Sequence, residues 1–142
     1  MATFKASYGT SVDITPSGLN GLTSGSSVIS VNVDNTNYLM LDGLIELTYV
    51  YNTAPTANNN ITIEVQSSID GANFTDIQNH SYVVILTADT TTHRIKFFLS
   101  SLFGNSIGIP KYVRFKITNN GGRDLASSGN ALKIVPIYTQ AV

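Results

Sequence analysis

The stretch from Ile61 to Ile77, ITIEVQSSIDGANFTDI, constrains the fold more than any other part of the chain. Ile61, Ile63 and Val65 alternate with Thr62, Glu64 and Gln66, and a period of two sends one set inward and the other to solvent. That is the pattern of a half-buried strand. Ser67 to Asn73 then carries turn chemistry, because the Asp70 carboxylate can accept from backbone two residues on and Gly71 can take a positive φ without a Cβ penalty. The chain is expected to reverse here, with Phe74 and Ile77 returning to the apolar side as a second strand begins.

The same alternation recurs elsewhere. Val28 to Val33 is expected to turn Ile29, Val31 and Val33 inward, with Ser30, Asn32 and Asp34 outward. Tyr38 to Tyr51 is the longest apolar run, and its leucines would permit a helix. Asp42-Gly43 interrupts it, however, and Ile45, Leu47, Tyr49 and Tyr51 keep a strict two-residue period rich in strand formers. Two strands, or one strand with a bulge at Gly43, are expected. Tyr82, Val84 and Leu86 mark a further strand; Ile95, Phe97 and Leu99 mark another, opposite Arg94, Lys96 and Phe98. Val113, Phe115 and Ile117 alternate with Tyr112, Arg114 and Lys116, and Asn119-Asn120-Gly121-Gly122 closes that strand as a turn. The last strand, Ala131 to Tyr138, contains Pro136, whose missing donor places it at a sheet edge or a strand end.

Met1 to Ser27 has little apolar periodicity and many turn formers, so only Thr3 to Tyr8 and Val12 to Ile14 fit short strands. Residues 1–27 read either as the first strand of the same sheet or as an extended N-terminal arm pairing with a neighbouring subunit. In all, about eight or nine short strands with turn signals about every ten residues predict an all-β fold. The expected architecture is an antiparallel two-sheet β-sandwich of jelly-roll or related Greek-key type, formed as one domain over residues 1–142.

At 142 residues the chain can bury roughly two thirds of its unfolded surface. With no Cys it has neither disulfides nor thiolate chemistry, which fits folding in a reducing compartment. The opening MATFKASYGT lacks a basic region followed by an apolar run, and no apolar stretch approaches the roughly 20 residues of a membrane span. A soluble, cytosolically made protein without membrane contact is expected. Charged residues make up only 12% of the sequence, against a usual share of about 25%. Ser, Thr and Asn, about a third of the residues, supply polarity instead, which suits sheet surfaces and protein contacts better than steering of an ionic ligand. A net charge of −1 gives no reason to expect nucleic acid. Most acids lie before residue 72 and most bases after it, so the two halves are expected to interleave as strands and neutralise each other.

Reaction chemistry finds little footing. His80 and His93 lack a carboxylate constellation and read as loop or strand-edge residues. No G-x-S-x-G elbow and no Gly-rich loop before a helix is present. Glu46 and Glu64, both outward by parity, are the one conceivable carboxylate pair, and they read as surface residues of a sheet. Asp34, Asp42 and Asp70 sit in loops without the spacing of a Ca²⁺ site. The chain is therefore expected to be no enzyme and to hold no metal and no cofactor. Tyr49, Tyr51, Tyr82, Tyr112 and Tyr138 could stack on sugar rings, although strand parity gives several of them packing positions. A glycan remains a possible ligand.

Protein contacts are better supported. Leu102, Phe103, Ile107 and Ile109 lie in a loop, Ser100 to Pro110, where apolar side chains either fold under the end of the sandwich or face a partner. Arg94, Lys96, Arg114 and Lys116 read as outward on strands that could be neighbours, a basic surface for a subunit carrying carboxylates.

The hairpin S-x-D-G-x-N-F, in Ser68, Asp70, Gly71, Asn73 and Phe74, followed by Tyr112, Val113, Arg114 and Phe115, resembles a pattern of small β-sandwich structural proteins of tailed bacteriophages, such as head decoration and tail-associated proteins. It is also similar to discoidin-like, galactose-binding sandwiches, but Phe74 stands where that family has Trp, and its Cys pair is missing. The phage resemblance implies a non-enzymatic virion structural protein, made in the host cytoplasm and assembled as a homo-oligomer on major capsid or tail proteins. Its contacts would be Leu102, Phe103, Ile107, Ile109, Arg114 and Lys116, with the N-terminal arm. The discoidin resemblance implies the alternative, a carbohydrate-binding module.

Overall fold

The computed structural model describes residues 3–38, 40–103 and 109–141; for residues 37, 38 and 76–80 it describes the backbone alone. Its strands are β1 (Phe4–Tyr8), β2 (Val12–Asp13), β3 (Ser27–Ile29), β4 (Val33–Asp34), β5 (Asp42–Tyr49), β6 (Asn60–Ser68), β7 (Thr75–Ile85), β8 (His93–Phe98), β9 (Tyr112–Asn119) and β10 (Ala131–Ala141). A single helical turn, α1 (Asn35–Tyr38), follows β4, and a 3₁₀ turn, Leu99–Leu102, follows β8.

The strands form two antiparallel sheets of five. One runs β1-β10-β5-β8, with β2 also on β10; the other runs β3-β9-β6-β7, with β4 also on β9. Taking β1 with β2 and β3 with β4 as two broken strands leaves eight, in the orders first-eighth-third-sixth and second-seventh-fourth-fifth. Every connection but the β6–β7 hairpin crosses from one sheet to the other. This is a jelly roll, a β-sandwich that wraps both Greek keys around one core.

Parity fills that core. Ile45, Leu47 and Tyr49 of β5, Phe97 of β8, and Leu132 and Ile134 of β10 meet Ile61, Ile63 and Val65 of β6, Val84 of β7, and Val113, Phe115 and Ile117 of β9. Each such side chain removed from water contributes about 1.5–3 kcal/mol before entropy is counted. Tyr82 of β7 stacks on Phe97 of β8 at 4.2 Å between centroids, closing the gap between the two edge strands.

Several expectations are corrected. Ile29 and Val31 face outward, 43% and 57% exposed, while Val33 is buried. The strand breaks between Ile29 and Val33, because Ser30 turns inward: its hydroxyl accepts from Phe115 N–H and donates to Val31 C=O. That break shifts the parity and explains why alternation alone misplaced two of three residues. Gly43 makes no bulge; β5 is one strand from Asp42, in continuous register with β10. Gly43 packs closely under Ile134: a Cβ there would lie 2.9 Å from Ile134 Cδ1, so that side chain would have to move.

Pro136 lies in β10, an interior strand between β1 and β5, not at an edge. Its carbonyl accepts from Gly9 N–H, so the proline nitrogen on the same side faces the break between β1 and β2. No donor is missed by β5. Three residues lie between Tyr8 and Val12 but only two between their partners Ile137 and Ile134, and this irregularity takes up the proline. Residues 4–8 and 12–13, moreover, pair with β10 of their own chain. Within the chain they behave as the first strand of the sheet, the other of the two N-terminal readings.

Candidate interaction surfaces

The loops at one end of the sandwich are held by buried amides. Asn119, at the end of β9, accepts from Tyr51 Oη (2.7 Å) and Gly121 N–H (2.9 Å), and its Nδ2 donates to Leu22 C=O (2.9 Å) and Arg123 C=O (2.8 Å). All four capacities of the side chain are used with no solvent exposure. Asn130 works alike, accepting from Val50 N–H and donating to Asn20 Oδ1 and Ala126 C=O. Sequence reading took Asn119 for an ordinary turn residue; its place at the end of an inward-parity strand (Val113, Phe115, Ile117, Asn119) was the available signal. Burial pushes the Tyr51 hydroxyl pKa far up, with Tyr49 adding to it, and raises that of Tyr49 as well. Both tyrosines belong to the core and offer no stacking platform.

The 68–74 turn has the expected chemistry in the expected place. Gly71 has φ +78°, and the Asp70 carboxylate accepts from Ala72 N–H, Asn73 N–H, Asn73 Nδ2 and Ser68 Oγ. These bonds hold its pKa well below the usual carboxylate range, the Asn73 N–H foremost. Phe74, however, does not enter the core. It lies half-buried under the Arg114 guanidinium, 4.1 Å from the ring centre, on the outer face of the β9–β6 sheet. Ile77 falls among residues whose side chains are not described.

Of the predicted contact residues, Leu102 and Phe103 are 2% and 4% exposed and belong to the core cluster. The 3₁₀ turn that tucks them in is tied to β5: Ser100 N–H and Oγ donate to the two Asp42 carboxylate oxygens at 2.9 and 2.6 Å. Ile109 is half-buried against the same cluster, and Ile107 lies outside the described residues. In the single chain, the described apolar residues of this loop, Leu102, Phe103 and Ile109, cap the sandwich. Arg114 and Lys116 do point outward from β9, Arg114 Nε donating to Gln66 Oε1 (2.6 Å) and Lys116 Nζ pairing with Glu64 (3.5 Å).

The basic surface expected from Arg94, Lys96, Arg114 and Lys116 does not exist as one patch. Strands β8 and β9 belong to opposite sheets, because the connection between them crosses the sandwich. For the same reason Glu46 of β5 and Glu64 of β6 project from opposite faces and form no catalytic pair. Each meets a base from the second half of the chain instead, Glu46 with Lys96 (3.2 Å) and Glu64 with Lys116, as the charge asymmetry predicted. His93 opens the edge strand β8, its Nε2 2.8 Å from Asp89 Oδ1 and its ring stacked on Tyr49 at 5.0 Å. The side chain of His80 is not described. Among the described residues, no three His, Asp or Glu side chains come together as a metal site. Asp34 accepts from Thr36 N–H and Oγ1, a local turn role. Among the described residues no helix is long and apolar enough to cross a membrane.

Other surface features remain. At the Asn119 end, a polar recess of about 330 Å³ is lined by Asn52, Thr53, Gly122, Arg123, Asp124 and Leu125. On the outer face of the β10–β5–β8 sheet, Val135, Leu44 and Phe98 stand in one row across neighbouring strands, and Phe98 is 45% exposed. Beside that row lies a groove of about 110 Å³ between Ser11, Leu44, Glu46, Lys96, Lys133 and Val135.

The fold and these surfaces define a jelly-roll β-sandwich. No family model matches the chain, and no curated protein matches it. Solved structures with similar backbones include one of turnip yellow mosaic virus, at 7% identity, covering 99% of this chain and 82% of that one, with a TM-score of 0.45. Others are a structure titled "CBM4 structure and function", at 14% identity, 99% and 78% coverage and a TM-score of 0.40, and Xyl-CBM35 in complex with a glucuronic acid containing disaccharide, at 17% identity, 99% and 92% coverage and a TM-score of 0.40.

Proposed function

We propose that this chain is a virion structural protein of the tailed-phage type, a capsid decoration or other head- or tail-attached subunit that acts through protein contacts and catalyses no reaction. The observation that carries the reading is apolar surface on the solvent side of both sheets: Phe98 beside Leu44 on one, and Ile29, Val83 and Ile85 on the other. Only 12% of the chain is charged, and exposed apolar side chains of this size fit a surface of association. The carboxylates Asp34, Asp42, Asp70 and Asp89 are taken up by turns, which leaves their chemistry structural. The hairpin motif supplies the assignment to phage particles, and a specific attachment would bury about 1,000 Å² or more.

The test is addition of purified protein to particles assembled without it, followed by imaging and sedimentation. Stoichiometric, symmetric decoration is expected; failure to bind head or tail sinks the proposal. A carbohydrate-binding role is favoured by one feature, the polar recess of Arg123 and Asp124. It predicts glycan-array binding lost in Arg123→Ala.

A further inference from the structure

We infer that the outer face of the β2-β10-β5-β8 sheet binds the same face of a second copy of this chain, about a two-fold axis. This inference rests on the reading that the protein works by protein contacts, and names the partner of one face.

The argument begins with one row of side chains. Asp13 of β2 is opposite Lys133 of β10, Lys133 is opposite Glu46 of β5, and Glu46 is opposite Lys96 of β8. Read across the sheet, the charges run minus, plus, minus, plus. A two-fold axis lying in the interface along the strands, between β10 and β5, reverses that order in the second copy. Asp13 then meets Lys96 and Lys133 meets Glu46, so all four positions face an opposite charge. A two-fold interface must be self-complementary, and a row antisymmetric about its centre meets that condition.

Two neighbouring features agree. One pleat along, the apolar row Val135, Leu44 and Phe98 is carried by the same operation so that Val135 meets Leu44 and Phe98 approaches Ser11, a wall of the groove. Within the chain Lys96 pairs closely with Glu46, whereas Lys133 acts on its neighbour Asp13 only at longer range and makes no close ion pair among the described residues, so its ammonium can also meet the Glu46 of a second copy. The opposite outer face carries half of this pattern: across β3-β9-β6-β7 the matching row is Ile29, Lys116, Glu64 and Ser81, one complementary charge pair where this face has two. Four strands at a spacing of about 4.8 Å make a narrow face. The buried area therefore falls near the lower end of specific interfaces, about 1,000 Å² in total, and a dimer of about micromolar Kd is expected.

The experiment is sedimentation velocity of the full chain up to about 100 µM, a range that spans a micromolar equilibrium. Wild type should dimerise, and Glu46→Lys or Lys133→Glu alone should weaken the dimer about tenfold or more, since each sets like charges face to face. The double variant Glu46→Lys/Lys133→Glu runs minus, minus, plus, plus, is again antisymmetric, and should recover dimerisation although its pairs within the chain are spoiled. A wild type that stays monomeric overturns the inference. So does a dimer indifferent to both single reversals, or a folded double variant that fails to recover. Thermal unfolding of each variant reports folding; where a single reversal unfolds, the exposed change Phe98→Ser is read in its place. Particle binding is assayed separately: decoration by a monomer sinks this inference alone, and a dimer that decorates nothing sinks the virion reading alone.

Discussion

Asn119, the last residue of β9, ties three separate parts of the chain together: Tyr51, the 19–25 segment and the 121–125 loop all bond to its amide. Asn119→Ala would leave a buried hydroxyl, an N–H and two carbonyls without that partner, so a loss of about 3 kcal/mol or more is expected in denaturant unfolding. Gly71 is constrained twice, by φ +78° and by the Tyr112 ring 3.3 Å from where a Cβ would lie. Gly71→Val should cost about 1–3 kcal/mol in the same measurement. Acid sensitivity follows from Asp70 and Asp89, whose folded-state pKa values are both depressed. The Asn73 N–H is the main cause at Asp70, and the Thr87 hydroxyl, followed by His93, at Asp89. Folded values below the unfolded one, about 3.9, give stability that is present above about pH 4 and is lost as pH falls further. Thermal scans from pH 6 to pH 2, bracketing that value, should show a shallower acid decline in Asp70→Asn/Asp89→Asn than in wild type. Equal slopes would remove these two carboxylates from the acid response.

Among the elements, the 3₁₀ turn Leu99–Leu102 decides how the loop before β9 is read. A loop that is rich in apolar residues can cap a core or present a surface, and alternation cannot tell the two apart. Two bonds from Ser100 to Asp42, a residue distant in sequence, fix the turn so that Leu102 points into the sandwich. Leu102→Ala should therefore cost about 2–5 kcal/mol by leaving a cavity. A wild-type unfolding curve with impaired particle binding would instead make Leu102 a contact. Strand β10 makes the same point from the opposite direction. Pro136 reads as an edge signal, yet it sits inside a sheet because Gly9 and the β1–β2 irregularity lie opposite its nitrogen.

For the whole molecule, the jelly roll places β1 beside β10, so the two ends of the sequence complete one sheet. Such pairings carry a high loop-closure cost before they add stability. Refolding in stopped flow should take milliseconds to seconds, and a microsecond phase accounting for the full amplitude would contradict the topology. The alternation in β5, β6, β8 and β9 was legible in the sequence because a half-buried strand needs only local side-chain order, and the turn at Asp70-Gly71 because its conformation depends on those residues alone. So was the meeting of early acids with later bases. Which strands became neighbours was not legible: the distribution of β8 and β9 over opposite sheets divides the basic patch, separates Glu46 from Glu64, and aligns Asp13, Lys133, Glu46 and Lys96 in one row. Period-two patterning says which way a side chain faces relative to its own strand. Only the packing of all the strands around one core decides what it faces.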